Sequence, residues 1–139
     1  MAQGEYIAPE KIEITLTKNH YIAQAYVHGD SLRSSLVAII VPDEPNLIAW
    51  AKENSIEGSF AELCTKKEVK ELFQKEISKF GRGGSEELKG FEIPKNIFVE
   101  SEMFSLGNEL LTTTFKLKRH EAKKKYSQKI EALYSEIKE

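Results

Sequence analysis

The chain has 139 residues, of which 40% are hydrophobic and 30% are charged, the balance of an ordinary soluble globular protein. This length suits one domain, residues 1–139, and is short for a complete enzyme with two substrates. The formal charge of −2 and the pI near 6.0 give no overall sign of binding to nucleic acid or to a membrane. Cys64 is the only cysteine, which excludes an intrachain disulfide and a cysteine metal cluster and fits a reducing compartment.

The start of the chain predicts a loop that leads directly into a short amphipathic helix. Gly4 permits unusual backbone angles or the close approach of a ligand. Pro9 suits the first turn of a helix, and Ile12 and Leu16 then form an i, i+4 apolar pair. Because this junction comes so early, we expect the chain to be a fragment of a longer protein.

Residues 20–42 predict a β-hairpin. Small apolar residues alternate with larger neighbours over residues 23–27, which is the period of a half-buried strand. Turn residues follow at 29–31. Residues 36–41 are apolar on both faces, as a central strand covered on two sides would be. His28 could be imagined as a catalytic base, but no partner is visible in the sequence, and we expect it to be structural or solvent-facing.

The middle of the chain has the longer apolar period of helices. A short helix is predicted to end near Asn54, and Ser59 with Glu62 forms a capping-box pattern for the next helix. The apolar stripe then continues to residue 80 with a break near Thr65, and Cys64 lies within it, so we expect a core thiol rather than a nucleophile.

Glycines and a short apolar segment follow these helices. The glycines at 81–84 have no Gly-Lys-Ser/Thr after them and no strand before them, which predicts a helix end and a loop rather than a phosphate-binding loop. Residues 97–99 are a third strand candidate.

Residues 107–119 contain the strongest candidate for chemistry, Lys116. Three threonines and a phenylalanine follow a Gly-Asn turn signal, which predicts a strand-like loop that ends at a helix start. A lysine has a flexible stem and a compact charge, which suits it to reach an anionic group on another surface. On local sequence alone, a solvated lysine before a charged helix is the more ordinary interpretation.

The last stretch, residues 119–139, predicts one amphipathic helix. Its charged face includes Lys123, Lys124 and Lys125, and it could bind nucleic acid or acidic lipid. A solvated helix face is the more ordinary interpretation, because no interleaved aromatic residues or nucleic-acid-binding motif accompany the lysines.

Five segments resemble one enzyme family. These are QGEYIAPEKIE, YVHGDSL, LVAIIVPD, IEGSFAELC and LLTTTFKLKR. In this order they are similar to the small C-terminal domain of the eukaryotic long-chain acyl-CoA synthetases, within the adenylate-forming superfamily. The family usually has glycine where Glu109 stands and proline where Thr113 stands.

The resemblance implies half of an enzyme that activates a fatty acid with ATP and Mg²⁺ and then transfers the acyl group to coenzyme A. It implies that a large N-terminal domain, absent here, holds the nucleotide and the acyl chain and is the partner of this domain. In one pose of the mobile C-terminal lid, Lys116 contacts the carboxylate and the α-phosphate. In the other, Gly4 and Glu5 help to form the coenzyme A channel.

The resemblance also places the full-length enzyme inside the cell, facing the cytosol on the endoplasmic reticulum, peroxisome or mitochondrial surface, with no nucleic-acid partner. We therefore expect an α+β domain with a small sheet of about three strands flanked by helices. The alternative is a free-standing interaction module that uses the basic C-terminal helix to bind acidic partners.

Overall fold

A mixed three-stranded sheet lies at the centre of the structure, a computed structural model that describes residues 7–137. Its strands are β1 (Ile22–His28), β2 (Val37–Pro42) and β3 (Asn96–Val99), and they lie in the order β1-β2-β3. β2 pairs antiparallel with β1, with Ile39 opposite Tyr26, and parallel with β3, with Ile39 opposite Phe98. The predicted α+β fold with three strands is confirmed.

Six helices surround this sheet in the described part of the chain. They are α1 (Pro9–Leu16), α2 (Glu44–Glu53), α3 (Phe60–Leu63), α4 (Lys67–Ser78), α5 (Arg119–Lys125) and α6 (Ser127–Ser135). The three helices α2 to α4 form the crossover that the parallel pairing of β2 and β3 requires. None of the described helices is long and apolar enough to cross a membrane.

Local side-chain chemistry sets where the crossover helices begin and end. The Asp43 carboxylate accepts a hydrogen bond from Asn46 N–H at 3.1 Å and caps α2. Ser59 and Glu62 form the predicted capping box of α3, and the chain breaks after that helix as expected. After α4, a Cβ on Gly84 would lie 1.9 Å from the carbonyl oxygen of Lys79, so this turn requires glycine and the predicted loop is confirmed.

The core lies on both faces of β2, and every residue of this strand is buried. Ala38 and Ile40 pack with α1, α2 and α4 on one face. Val37 and Ile39 pack with α5 and α6 on the other. The helices therefore cover the sheet from both sides, and the apolar run of residues 36–41 correctly predicted a central strand.

Two details of the predicted elements are wrong. β1 was expected to be half-buried, but residues 25–28 are buried on both faces because α1 covers one side and α6 the other. The C-terminal helix was expected to be continuous, but it is divided at Tyr126, where φ is −100° and ψ is 12°. Tyr126 is buried and its hydroxyl donates to Glu100 at 2.8 Å, which fixes this residue against the chain after β3.

Candidate functional site

Lys116 lies in a small β-hairpin, residues 110–118, which we call the Lys116 hairpin. Leu111 and Leu117 form an antiparallel bridge across it. At its base, Lys118 N–H donates to the carbonyl oxygen of Leu110 at 2.8 Å. The predicted strand-like loop is thus a hairpin, and α5 begins directly after it at Arg119.

The tip of the Lys116 hairpin is held by Thr112. The Thr112 N–H donates to the carbonyl oxygen of Lys116 at 2.8 Å, and Phe115 N–H donates to the carbonyl oxygen of Thr112 at 2.9 Å. The Thr112 hydroxyl oxygen also accepts from the N–H groups of Lys116, at 3.1 Å, and Thr114, at 3.3 Å. One threonine side chain therefore fixes the backbone from which the lysine side chain projects.

Two residues of this region adopt the left-handed conformation that favours glycine. Glu109 has φ of 63°, and Phe115, directly before Lys116, has φ of 62°. This conformation costs a residue with a Cβ roughly 1–2 kcal/mol. Glu109 stands where glycine is usual in the resembling family, and its backbone keeps the conformation that glycine adopts without strain.

The Lys116 side chain is exposed, and within residues 7–137 no hydrogen bond or ion pair holds its ammonium group. Beside it, the ring of Phe115 is 71% exposed. An aromatic ring with little burial thus lies next to an exposed cation on the same hairpin tip. This arrangement suits a surface that contacts another surface carrying an anion.

An ion pair between Arg119, directly after the Lys116 hairpin, and Glu13 joins the start of α5 to α1. One Glu13 oxygen is bonded to the Arg119 guanidinium, and the other accepts from Val27 N–H at 2.7 Å. The guanidinium carbon lies 5.9 Å from the centroid of the Tyr26 ring. Glu13 thus accepts a hydrogen bond from an N–H group at the outer edge of β1 and pairs with Arg119, the first residue of α5.

Burial raises the pKa of Glu13, although the Val27 amide and the Arg119 charge act in the opposite direction. Sequence reasoning missed this pair, since 106 residues separate its members. An acidic residue next to Ile12 on the apolar side of α1 was the only signal in the sequence. The structure shows Arg119 paired with this carboxylate.

His28 is structural, which is one of the two roles expected for it. The Tyr26 hydroxyl lies 3.1 Å from His28 Nδ1, and Asp30 Oδ2 lies 3.5 Å from Nε2. The Tyr134 hydroxyl on α6 donates to the His28 carbonyl oxygen at 3.4 Å. Burial lowers the pKa of His28, so the neutral ring is favoured in this setting.

The other candidate groups for catalysis are inert in this fold. Cys64 is buried, and burial raises its pKa to about 11, which confirms a core thiol rather than a nucleophile. No group of three or more His, Cys, Asp or Glu within residues 7–137 could hold a metal ion.

The basic face of α5 is exposed at Lys123, Lys124 and Lys125. Lys125 is paired with Glu102 at 2.7 Å and lies 5.5 Å from the Tyr126 ring centroid. This is the ordinary arrangement of a solvated helix face with local ion pairs.

Gly4 and Glu5 lie outside the described residues, so their predicted position stays a prediction. The structure does show that α1, which follows them closely, is joined to the Lys116 hairpin through Glu13 and Arg119.

Comparison with known proteins gives close relatives. The chain is 46% identical over 138 residues to long-chain-fatty-acid–CoA ligase 1 of Homo sapiens and 42% identical over 138 residues to the peroxisomal long chain acyl-CoA synthetase 7 of Arabidopsis thaliana. These alignments cover 99% of the chain but 20% and 19% of the relatives, so the chain spans about a fifth of their length. No family model matches the chain.

Solved structures show the same fold. The adenylation domain of a carboxylate reductase from Mycobacterium chelonae superposes with a TM-score of 0.80 and 31% identity, covering 98% of this chain and 19% of that one. The chain therefore has the fold of the C-terminal domain of adenylate-forming enzymes, a three-stranded sheet covered by helices on both faces. The chain is homologous to the C-terminal part of the eukaryotic long-chain-fatty-acid–CoA ligases, within the adenylate-forming superfamily.

Proposed function

We propose that residues 1–139 are the mobile C-terminal lid of a long-chain fatty acid–CoA ligase and that Lys116 is its catalytic residue. The supporting observation is an exposed lysine on a hairpin whose backbone is held by Thr112 hydrogen bonds. The chain that carries this lysine is homologous to the C-terminal fifth of such ligases. The proposed enzyme also has a large N-terminal domain, which binds ATP, Mg²⁺ and the fatty acid.

The proposed reaction has two steps. In the first, a fatty acid carboxylate oxygen attacks the α-phosphorus of ATP, which gives acyl-AMP and releases pyrophosphate. In the second, the coenzyme A thiol attacks the acyl carbon, loses its proton, and displaces AMP to give the thioester. The first step brings two anions together, and it builds charge on the phosphoryl oxygens in the transition state.

Lys116 would act in the first step. Its ammonium group, placed between the carboxylate and the α-phosphate, would orient both anions and stabilise the developing charge. The Thr112 hydrogen bonds support this role because they fix the lysine backbone while its stem stays free. Mg²⁺, held by the large domain, would neutralise phosphate charge.

Gly4 and Glu5 would act in the second step. After a rotation of the domain, the loop that carries them would replace Lys116 and form part of the coenzyme A channel. Since the pair of Glu13 and Arg119 joins α1 to the start of α5, directly after the Lys116 hairpin, α1 and the hairpin would move as one body. We further propose a cytosol-facing location on an intracellular membrane; the Arabidopsis relative is named as peroxisomal.

A chimera tests the proposed function. The part of human ligase 1 that precedes the region homologous to this chain would be joined to residues 1–139. We expect this chimera to form palmitoyl-CoA from palmitate, ATP and coenzyme A, whereas neither part alone does so. The human enzyme reassembled at the same junction is the control. A folded chimera without activity beside an active control would contradict the proposal.

A further inference from the structure

We propose that the free edge of β3 is a binding slot for a short, extended, acidic peptide. A cleft of about 400 Å³ follows this edge and is independent of the Lys116 hairpin in its lining residues. Its main lining residues are Lys66, Lys67, Lys70, Val99, Lys129 and Leu133. We call it the β3 cleft.

The floor of the β3 cleft is an unpaired strand edge. β3 is the last strand of the described sheet, so only its β2 side is paired. Glu100 N–H donates to the carbonyl oxygen of Ile40 in β2 at 2.8 Å. Because successive N–H groups of a strand point to opposite sides, Val99 N–H points away from β2 and into the cleft. An extended peptide can pair with such an edge.

The edge is closed at the start of β3, and Val99 near its end lines the cleft. At its start, the Asn96 side chain accepts from Ile97 N–H at 3.0 Å and donates to the carbonyl oxygen of Leu133 at 3.0 Å. An ion pair of Lys70 and Glu136, 3.6 Å long, joins α4 to the end of α6 beside it. β3 has four residues, and a strand rises about 3.3 Å per residue, so the slot suits a short segment and not a long strand.

The walls of the cleft carry an excess of positive charge. Four lysines line it, at positions 66, 67, 70 and 129, against two carboxylates, those of Glu100 and Glu136. Glu136 is paired with Lys70, and Glu100 accepts a hydrogen bond from the Tyr126 hydroxyl at 2.8 Å but keeps its charge. The charge that remains for a ligand is positive, which selects acidic side chains.

The cleft also has an apolar centre, formed by Cys64, Val99 and Leu133. A paired strand places successive side chains on opposite faces, one toward α4 and the next toward α6. A peptide in which acidic and small apolar residues alternate therefore fits both the lysines and this centre. Strand addition would supply affinity through main-chain hydrogen bonds, and the lysines would supply specificity.

The probe for the test is a fluorescein-labelled peptide, Glu-Val-Glu-Val-Glu with blocked ends, titrated with the 139-residue chain at low salt. We expect saturable fluorescence anisotropy and, in amide NMR spectra, a shift and slower hydrogen exchange at Val99. A peptide with lysine in place of each glutamate should not bind. A peptide N-methylated at alternate amides should also fail, because it cannot pair with the strand.

Two variants of the chain test whether the peptide binds in the β3 cleft. The double variant Lys66→Glu and Lys67→Glu should weaken binding by about tenfold or more, since it reverses two rim charges. Ala61→Trp, at an exposed position of the lining, should block the cleft without charge change. Lys75→Glu, exposed on α4 outside the lining, is the matched control and should bind as the original chain does.

Several outcomes would overturn the proposal. One is the absence of saturable binding by a chain that melts cooperatively. Another is binding that the N-methylated peptide reproduces or that Lys75→Glu weakens as much as the double variant. The proposal would also be overturned if the chain dimerised through β3, or if the large domain covered this edge in the active chimera, because the edge would then bind that surface and not a peptide.

Discussion

The ion pair of Glu13 and Arg119 gives the sharpest stability prediction, and the variant is Glu13→Ala. The change leaves the buried Val27 N–H without its acceptor, which costs about 1–3 kcal/mol. It also removes packing from a nearly buried side chain and the partner of Arg119. Arg119 is 34% exposed and can be hydrated, so this last loss is discounted. The expected total is about 2–4 kcal/mol.

The isosteric variant Glu13→Gln separates hydrogen bonding from charge. Glutamine keeps an acceptor for Val27 N–H, and because burial raises the pKa of Glu13, ionisation of this group is less favourable in the folded chain than in the unfolded chain. We therefore expect Glu13→Gln to cost about 1 kcal/mol or less.

The raised pKa of Glu13 also sets the sign of its contribution to the pH dependence of stability. Above pH 4.5 and up to the raised pKa, the folded state binds more protons than the unfolded state, so this group's contribution falls as pH rises through that window. Glu13→Gln should remove this component.

Chemical denaturation by urea, followed by circular dichroism at several pH values, measures these differences. Glu10→Ala is the matched control, because Glu10 is exposed on the same helix. If Glu13→Ala and Glu10→Ala have the same free energy of unfolding within about 0.5 kcal/mol, the pair does not stabilise the fold as reasoned.

Three further predictions test other parts of the structure. Stability should fall as pH drops below about 6.5, because burial lowers the pKa of His28 and the unfolded chain then binds more protons than the folded chain. Thermal melts of His28→Gln from pH 5 to 8 should show a shallower fall in stability, and a fall as steep as that of the original chain would contradict this reasoning. At Phe115, glycine should give a more stable chain than alanine by about 1 kcal/mol, since φ is 62°, and the reverse order in urea denaturation would exclude the strain. Ile39→Asp should lower the melting temperature strongly while Lys123→Ala leaves it unchanged, and similar shifts would refute the buried position of Ile39.

Short-range chemistry made much of the fold predictable. The doubly apolar run of residues 36–41 indicated a strand covered on two faces, and β2 has both cores against it. The capping box at Ser59 and the break near Thr65 depend on neighbours within four residues, and both are present. Lys116 was expected to be exposed at the end of a strand-like loop, and the exposure is confirmed.

The features that could not be predicted depend on contacts between distant parts of the chain. The pairing of Glu13 with Arg119 needs the tertiary fold, as does the two-sided burial of β1. Tyr126 fits a continuous helical stripe, and only its bond to Glu100 shows why the helix is divided there. The left-handed backbone at Phe115 could not be read from a residue type that normally avoids it.

The most direct test of the central claim is the rate of pyrophosphate release in the chimera with Lys116→Ala. We expect a loss on the order of 10²-fold, as when a single transition-state contact is removed. Lys118→Ala, in the same hairpin and exposed, should release pyrophosphate at nearly the unchanged rate. Thioester formation from preformed palmitoyl-AMP and coenzyme A should be affected far less by Lys116→Ala, because the lysine would be rotated away in that step. Pyrophosphate release at the unchanged rate in Lys116→Ala would contradict the assignment of Lys116 as the catalytic residue.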